Sequence, residues 1–120
     1  MSEDKNMTEV KFEDADHSIF DLLNWVRKTP ETFLDGDRSL RRLRSFLVGY
    51  ECGLGRLHFS LRDHDLFHSF HDWVASKLGF GESTSGWCNM ILARTKSDDE
   101  AYSKFFELLD EFCRTKGITR

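Results

Sequence analysis

Three histidines in one short segment have the residue type and the spacing that metal ligands on a helix need. His64, His68 and His71 stand at i, i+4 and i+7, and side chains three and four apart are neighbours on a helix. Two such imidazoles can hold one metal ion, whereas a structural zinc site needs four ligands and a catalytic site three. Further ligands would have to come from His58, Asp65 or Cys52. Two interpretations therefore stay open: a metal-binding or metal-sensing protein, and histidines at an ordinary helix boundary.

The sequence contains no catalytic motif. The histidine segment reads HDLFH and lacks the glutamate base of HExxH. The glycine-rich GFGES has no following Lys-Ser/Thr, and GxSxG is absent. Cys52, Cys88 and Cys113 are widely spaced in apolar helical patterns with no base beside them, so we predict buried free thiols in a reducing compartment. These absences predict a non-enzymatic protein with no cofactor.

Acidic residues on the same segment favour a protein partner. Asp65 and Asp72 stand seven residues apart, one above the other on the predicted outward face, with His68 near them. Such a surface can meet a basic partner, because complementary charge gives specificity and fast association. We therefore predict a partner-binding surface at Asp65, His68 and Asp72. A solvated outer face is the alternative.

The overall charge does not favour nucleic acid. The chain has 17 Lys+Arg against 21 Asp+Glu, a net charge of −4, whereas nucleic-acid-binding domains carry a basic surface. The arginines of the second predicted helix do not form one stripe, which indicates a solvated face with ion pairs. They are Arg38, Arg41, Arg42 and Arg44.

The sequence predicts helices before the segment that carries the three histidines, and a helix for that segment itself. Apolar residues recur at helical spacing from Asp16 or Ser18 up to Pro30, and again after a cap at Asp37 or Ser39. The second helix is expected to end near Gly53 and Gly55. The third is expected to open at Ser60 with Asp63 in a capping box, to carry the histidines and to end at Gly79.

Two further helices complete the predicted fold. The run WCNMILA at 87–93 is short and apolar, and a helix is preferred because no strand partner is evident. Ser97 with Glu100 opens the last helix. With 11 Phe, 3 Trp and 2 Tyr, the sequence predicts an all-α domain of about five helices around one aromatic-rich core.

The chain divides into a tail and one domain. Residues 1–15 are acidic and lack apolar periodicity, so we predict a flexible tail, followed by a single helical domain at 16–116. The first residues do not resemble a signal peptide, and no apolar run approaches the roughly 20 residues of a membrane span. The expected location is cytoplasmic, without membrane association. The sequence leaves the oligomeric state open.

Residues 18–113 resemble a family of small bacterial cytoplasmic proteins that occur beside polymorphic toxin genes and are suspected immunity proteins. The segments that carry the likeness are FLDGDRSL, LRRLRSFLVGY, FHDWVASKLGF, GWCNMIL and DDEAYSKFFELLDEF. The matching anchors are turn or core residues: Pro30, Gly36, Ser39, Leu40, Leu43, Phe46, Gly49, Tyr50, Trp73, Gly86, Trp87 and the pair Phe105-Phe106. They imply a shared fold and no active site. The resemblance implies that the chain binds and neutralises a cognate protein toxin, which is expected to be basic, with a nuclease as one candidate.

Overall fold

Within residues 11–81 and 86–118, which the computed structural model describes, 70% of the residues are helical. The elements in chain order are strand β1 (Glu13–Ser18), helices α1 (Ile19–Lys28), α2 (Pro30–Leu34) and α3 (Leu40–Arg56), strand β2 (Phe59–Arg62), and helices α4 (His64–Lys77), α5 (Gly86–Ala93) and α6 (Asp98–Lys116). The prediction of a mostly helical domain is confirmed. The prediction of a strictly all-α fold is wrong, because β1 and β2 pair as a small parallel sheet.

An aromatic cluster forms the core, as predicted. Phe70 of α4 has no exposed surface, and its ring centroid lies 5.7 Å from that of Phe105 and 5.3 Å from that of Phe112, both on α6. Trp87 of α5 packs against Phe105 at 4.8 Å. Phe20 of α1 reaches the same cluster through Phe112. Rings at these separations gain contact energy beyond their area burial, so the cluster fixes α4 against the neighbouring helices.

The parallel sheet brings the start of the described chain beside the segment before α4. Glu13 pairs with Phe59 and Asp14 with Ser60, and the register then shifts before Ser18 meets Arg62. Residues 13–15 therefore belong to a strand rather than to a tail, whereas residues 1–10 lie outside the described part of the chain. Neither strand is rich in β-branched residues, so strand propensity did not reveal them. Pairing is accompanied by burial of Ala15 and Leu61.

Because of the sheet, helix α4, which carries the three histidines, begins at His64 and not at the predicted Ser60. Ser60 and Leu61 lie in β2, and α4 begins at His64, after Asp63 in the left-handed conformation with φ 62° and no side-chain cap. The predicted capping box of Ser60 and Asp63 is thus wrong, because the Ser60 backbone is committed to pairing with β1.

Helix α3 is longer than predicted from Gly53 and Gly55, which were expected to end it. It continues through Gly53 and Gly55 and ends at Arg56, and the left-handed residue that follows is His58, with φ 62°. Its buried residues are Leu40, Leu43 and Leu47, so its second half lies along the surface of the domain.

A polar contact also ties β1 to α3. His17 lies 2.6 Å from a carboxylate oxygen of Asp16 through Nδ1 and 2.7 Å from the Tyr50 hydroxyl through Nε2. The hydrogen bond to His17, with its charge, lowers the pKa of Asp16, and burial together with the Asp16 charge raises the pKa of Tyr50. The anchor Tyr50 is therefore neutral across the physiological range and can hold β1 in place.

The predicted starts of the first and last helices and the predicted helix at 87–93 are confirmed, whereas the predicted loop after Pro30 is not a loop throughout. Ser18 caps α1 in a capping box with Asp21, and Ser97 caps α6 by accepting from the Glu100 amide. The apolar run at 87–93 lies in α5. The predicted loop after Pro30 contains the short helix α2, with Pro30 at its first turn, where a missing N–H costs little.

Candidate binding face on helix α4

The three predicted partner-binding residues lie on the exposed side of α4. Asp65, His68 and Asp72 are all exposed, whereas His64 and His71 are half-buried. On the opposite side of the helix, Phe67, Phe70 and Val74 are buried, so the rotation of α4 is set by the core. The exposed side chains are consequently carried on a rigid element.

A groove runs between α3 and α4, and the start of α5 contributes to its lining. Its volume is about 460 Å³. Its apolar lining consists of Leu47, Val48, Phe67 and Trp87, and its polar lining consists of Arg44, Glu51, His64, His68, His71 and Asp72. We call this the α3–α4 groove. The groove therefore combines apolar side chains with converging polar groups, as binding sites do.

Glu51 and two of the histidines form a connected polar chain in this groove. Oε2 of Glu51 lies 2.5 Å from Nδ1 of His64, and Nε2 of His64 lies 3.0 Å from Nε2 of His68. Because an ionised carboxylate only accepts hydrogen bonds, Nδ1 of His64 is the donor to Glu51. In the neutral imidazole, Nε2 of His64 then carries the lone pair and accepts from His68.

Sequence reasoning did not identify Glu51. It lies on α3, two residues before Gly53 and within the helix that the sequence predicted, but its partner His64 lies on α4. Helical spacing relates residues within one helix, and it holds no information on which residues of two helices meet. No local signal marked this carboxylate.

Asp65 is separated from the other two predicted residues. It lines a second groove beside β2, together with Asp14, Arg62 and Asp63, whereas His68 and Asp72 line the α3–α4 groove. Seven residues of helix place Asp65 and Asp72 about 10 Å apart along the axis. The predicted surface therefore joins two neighbouring concavities.

The structure does not assemble the three-histidine metal site. Among the described residues, no group of three His, Cys, Asp or Glu side chains is placed to hold a metal ion. His64 and His68 converge, with ring centroids 4.4 Å apart, and His71 does not join them in a ligand set. The exposed position of Cys52 on α3 also differs from the predicted burial, because α3 extends beyond the core there.

Thiol labelling separates the three cysteines. Cys52 is exposed, Cys88 and Cys113 are buried, and burial raises the pKa of Cys88, which suppresses its reactive thiolate. We expect a thiol reagent to label one site in the folded protein and all three in denaturant, as read by mass spectrometry. Cys52→Ser should remove the native-state label. A native protein that reacts at two or more sites at the same rate would contradict this placement.

No protein-family model, curated protein or solved structure matches this chain. Within residues 11–81 and 86–118, no helix combines the length and apolarity that a membrane span requires. The fold itself is a mostly helical domain with a two-stranded parallel sheet.

Proposed function

We propose that this chain is a non-enzymatic immunity protein that binds a cognate basic toxin and neutralises it in a tight complex. The observation that carries the proposal is that Asp65 and Asp72 are both exposed on the side of α4 opposite its buried residues, on a helix held by the core. Preorganised side chains bind with little loss of conformational freedom. Such a face suits a protein surface better than a small ligand, because it spans two concavities.

The charge of this face supports a basic partner. Asp14 and Asp63 line the same groove as Asp65, and the chain has a net charge of −4. An acidic patch steers a cationic protein toward it and raises the association rate. A toxin that cleaves nucleic acid needs a basic cleft, which is the surface that this patch would oppose.

The dimensions of the face also suit a stable complex. Helix α4 has 14 residues and is therefore about 21 Å long. The α3–α4 groove runs along it from His64 to Asp72, and the second groove lies beside its first turn next to β2, which extends the surface toward the roughly 800 Å² per partner of a standard interface. The apolar lining of the groove can accept a side chain of the partner, which would supply a hydrophobic anchor.

Co-expression tests the proposal. The chain is produced together with the product of the reading frame directly upstream of its native gene, and growth and co-elution are measured. We expect that product to be toxic alone, tolerated with the chain, and recovered with it in a stoichiometric complex. A small acidic protein of unrelated fold is the control and should not protect. A toxic neighbour that is neither bound nor neutralised, or a harmless one, would overturn the proposal.

A further inference from the structure

We propose that His64 and His68 form a bidentate site for a divalent transition-metal ion, with Glu51 as the positioning residue. This site is independent of the proposed function. Both ligand atoms are Nε2 atoms, and they face each other across 3.0 Å on successive turns of α4. Imidazole nitrogen suits Zn²⁺, Cu²⁺ and Ni²⁺. For His68 to ligate through Nε2, the proton on that nitrogen is lost to water and Nδ1 takes one up, so that two neutral imidazoles bind the ion.

The separation of the two nitrogens is within the reach of one ion. With metal–nitrogen bonds of about 2.1 Å, two ligands lie about 3.0 Å apart at a right angle and about 3.4 Å apart at the tetrahedral angle. The 3.0 Å between the two Nε2 atoms in the metal-free protein is the length of their hydrogen bond, and only a small ring movement is needed for both to reach one ion. Because Cu²⁺ binds nitrogen ligands more tightly than the other divalent first-row ions, the site is expected to bind Cu²⁺ more tightly than Ni²⁺.

Glu51 prepares His64 as a ligand. It accepts from Nδ1 at 2.5 Å, so the tautomer that leaves the Nε2 lone pair free is favoured. A carboxylate behind a ligating histidine fixes the ring and raises its basicity, and its loss typically weakens metal affinity 10–100-fold. The side chain of Glu51 is 29% exposed and that of His64 is 39% exposed, so the pair is ordered but open to an incoming ion.

The remaining coordination positions face the open α3–α4 groove. Its volume of about 460 Å³ accommodates a hydrated ion. No third ligand group is assembled among the described residues, so the site consists of two protein ligands and water.

Titration calorimetry of the untagged full chain with Ni²⁺ and with Cu²⁺ tests the site. We expect one ion per chain, with His64→Ala and His68→Ala each weakening the affinity at least tenfold. Glu51→Gln should weaken it about tenfold, although it keeps both ligands and can still accept a hydrogen bond. Circular dichroism would show that each variant is folded.

Two matched variants serve as controls. Cys52→Ser removes the exposed thiol on the same helix as Glu51, and His58→Asn removes a histidine outside the site with a residue that tolerates its left-handed backbone. Both should bind as the natural chain does. Equal affinity of His68→Ala and the natural chain, or loss of binding in Cys52→Ser, would overturn the proposal.

Discussion

Replacement of Phe70 by alanine is expected to lower the free energy of unfolding by about 3–5 kcal/mol, the usual cost of truncating a buried phenylalanine. The side chain has no exposed surface, and its ring lies between those of Phe105 and Phe112 on α6 and that of Phe67 on α4. Truncation removes the buried area and leaves a cavity that these rings cannot close. Urea unfolding followed by circular dichroism would measure the change.

Two further variants make this prediction testable even if Phe70→Ala does not fold, since small domains have only about 5–15 kcal/mol of stability. Phe70→Leu should cost less, about 1–2 kcal/mol, because it keeps most of the volume. Val48→Ala, on the α3–α4 groove and 49% exposed, should change stability by less than about 0.5 kcal/mol. Similar losses for Phe70→Leu and Val48→Ala would mean that Phe70 is not at the centre of the core.

Reversal of both acidic charges, Asp65→Lys with Asp72→Lys, is expected to weaken the proposed complex with a basic toxin by about 2 kcal/mol or more, a roughly 30-fold rise in Kd. The reason is that a desolvated carboxylate opposite a cation becomes a repulsive ammonium. Surface plasmon resonance with the purified toxin would measure it, and a growth assay would show the loss of protection.

The matched control separates local contacts from net charge. Glu31→Lys with Glu107→Lys also changes the net charge from −4 to 0, at two exposed residues of α2 and α6. This control should keep most of the affinity and lose mainly association rate, in a salt-dependent manner. Equal effects of the two double variants would reject the α4 face as the specific contact surface, and full protection by the first would reject it outright.

Most of the helices could be predicted from local sequence patterns. Ser18 and Ser97 are caps because their hydroxyl groups accept from amides three residues ahead, a relation contained within one turn. The periodic burial of α6 and the aromatic character of the core follow from residue type and spacing alone. The outward position of Asp65, His68 and Asp72 likewise followed from the apolar arc of the same helix.

Local sequence patterns could not predict the two strands, nor the polar chain formed by Glu51, His64 and His68. β1 (EDADHS) has an acidic sequence of low strand propensity, and it is extended because its backbone pairs with β2, more than 40 residues later. Glu51 reaches His64 across two helices. Both are long-range contacts, and the sequence of one segment does not contain the position of the other.

The amino-acid sequence by itself determined which faces are apolar, where most helices begin, and that the α4 carboxylates point outward, because these depend on turn-by-turn periodicity. Only the tertiary structure decided that α3 continues past its glycines, that a sheet displaces the start of α4, and that Glu51, His64 and His68 meet. The physical reason is that helix packing and strand pairing outweigh local propensities of about 1 kcal/mol per residue.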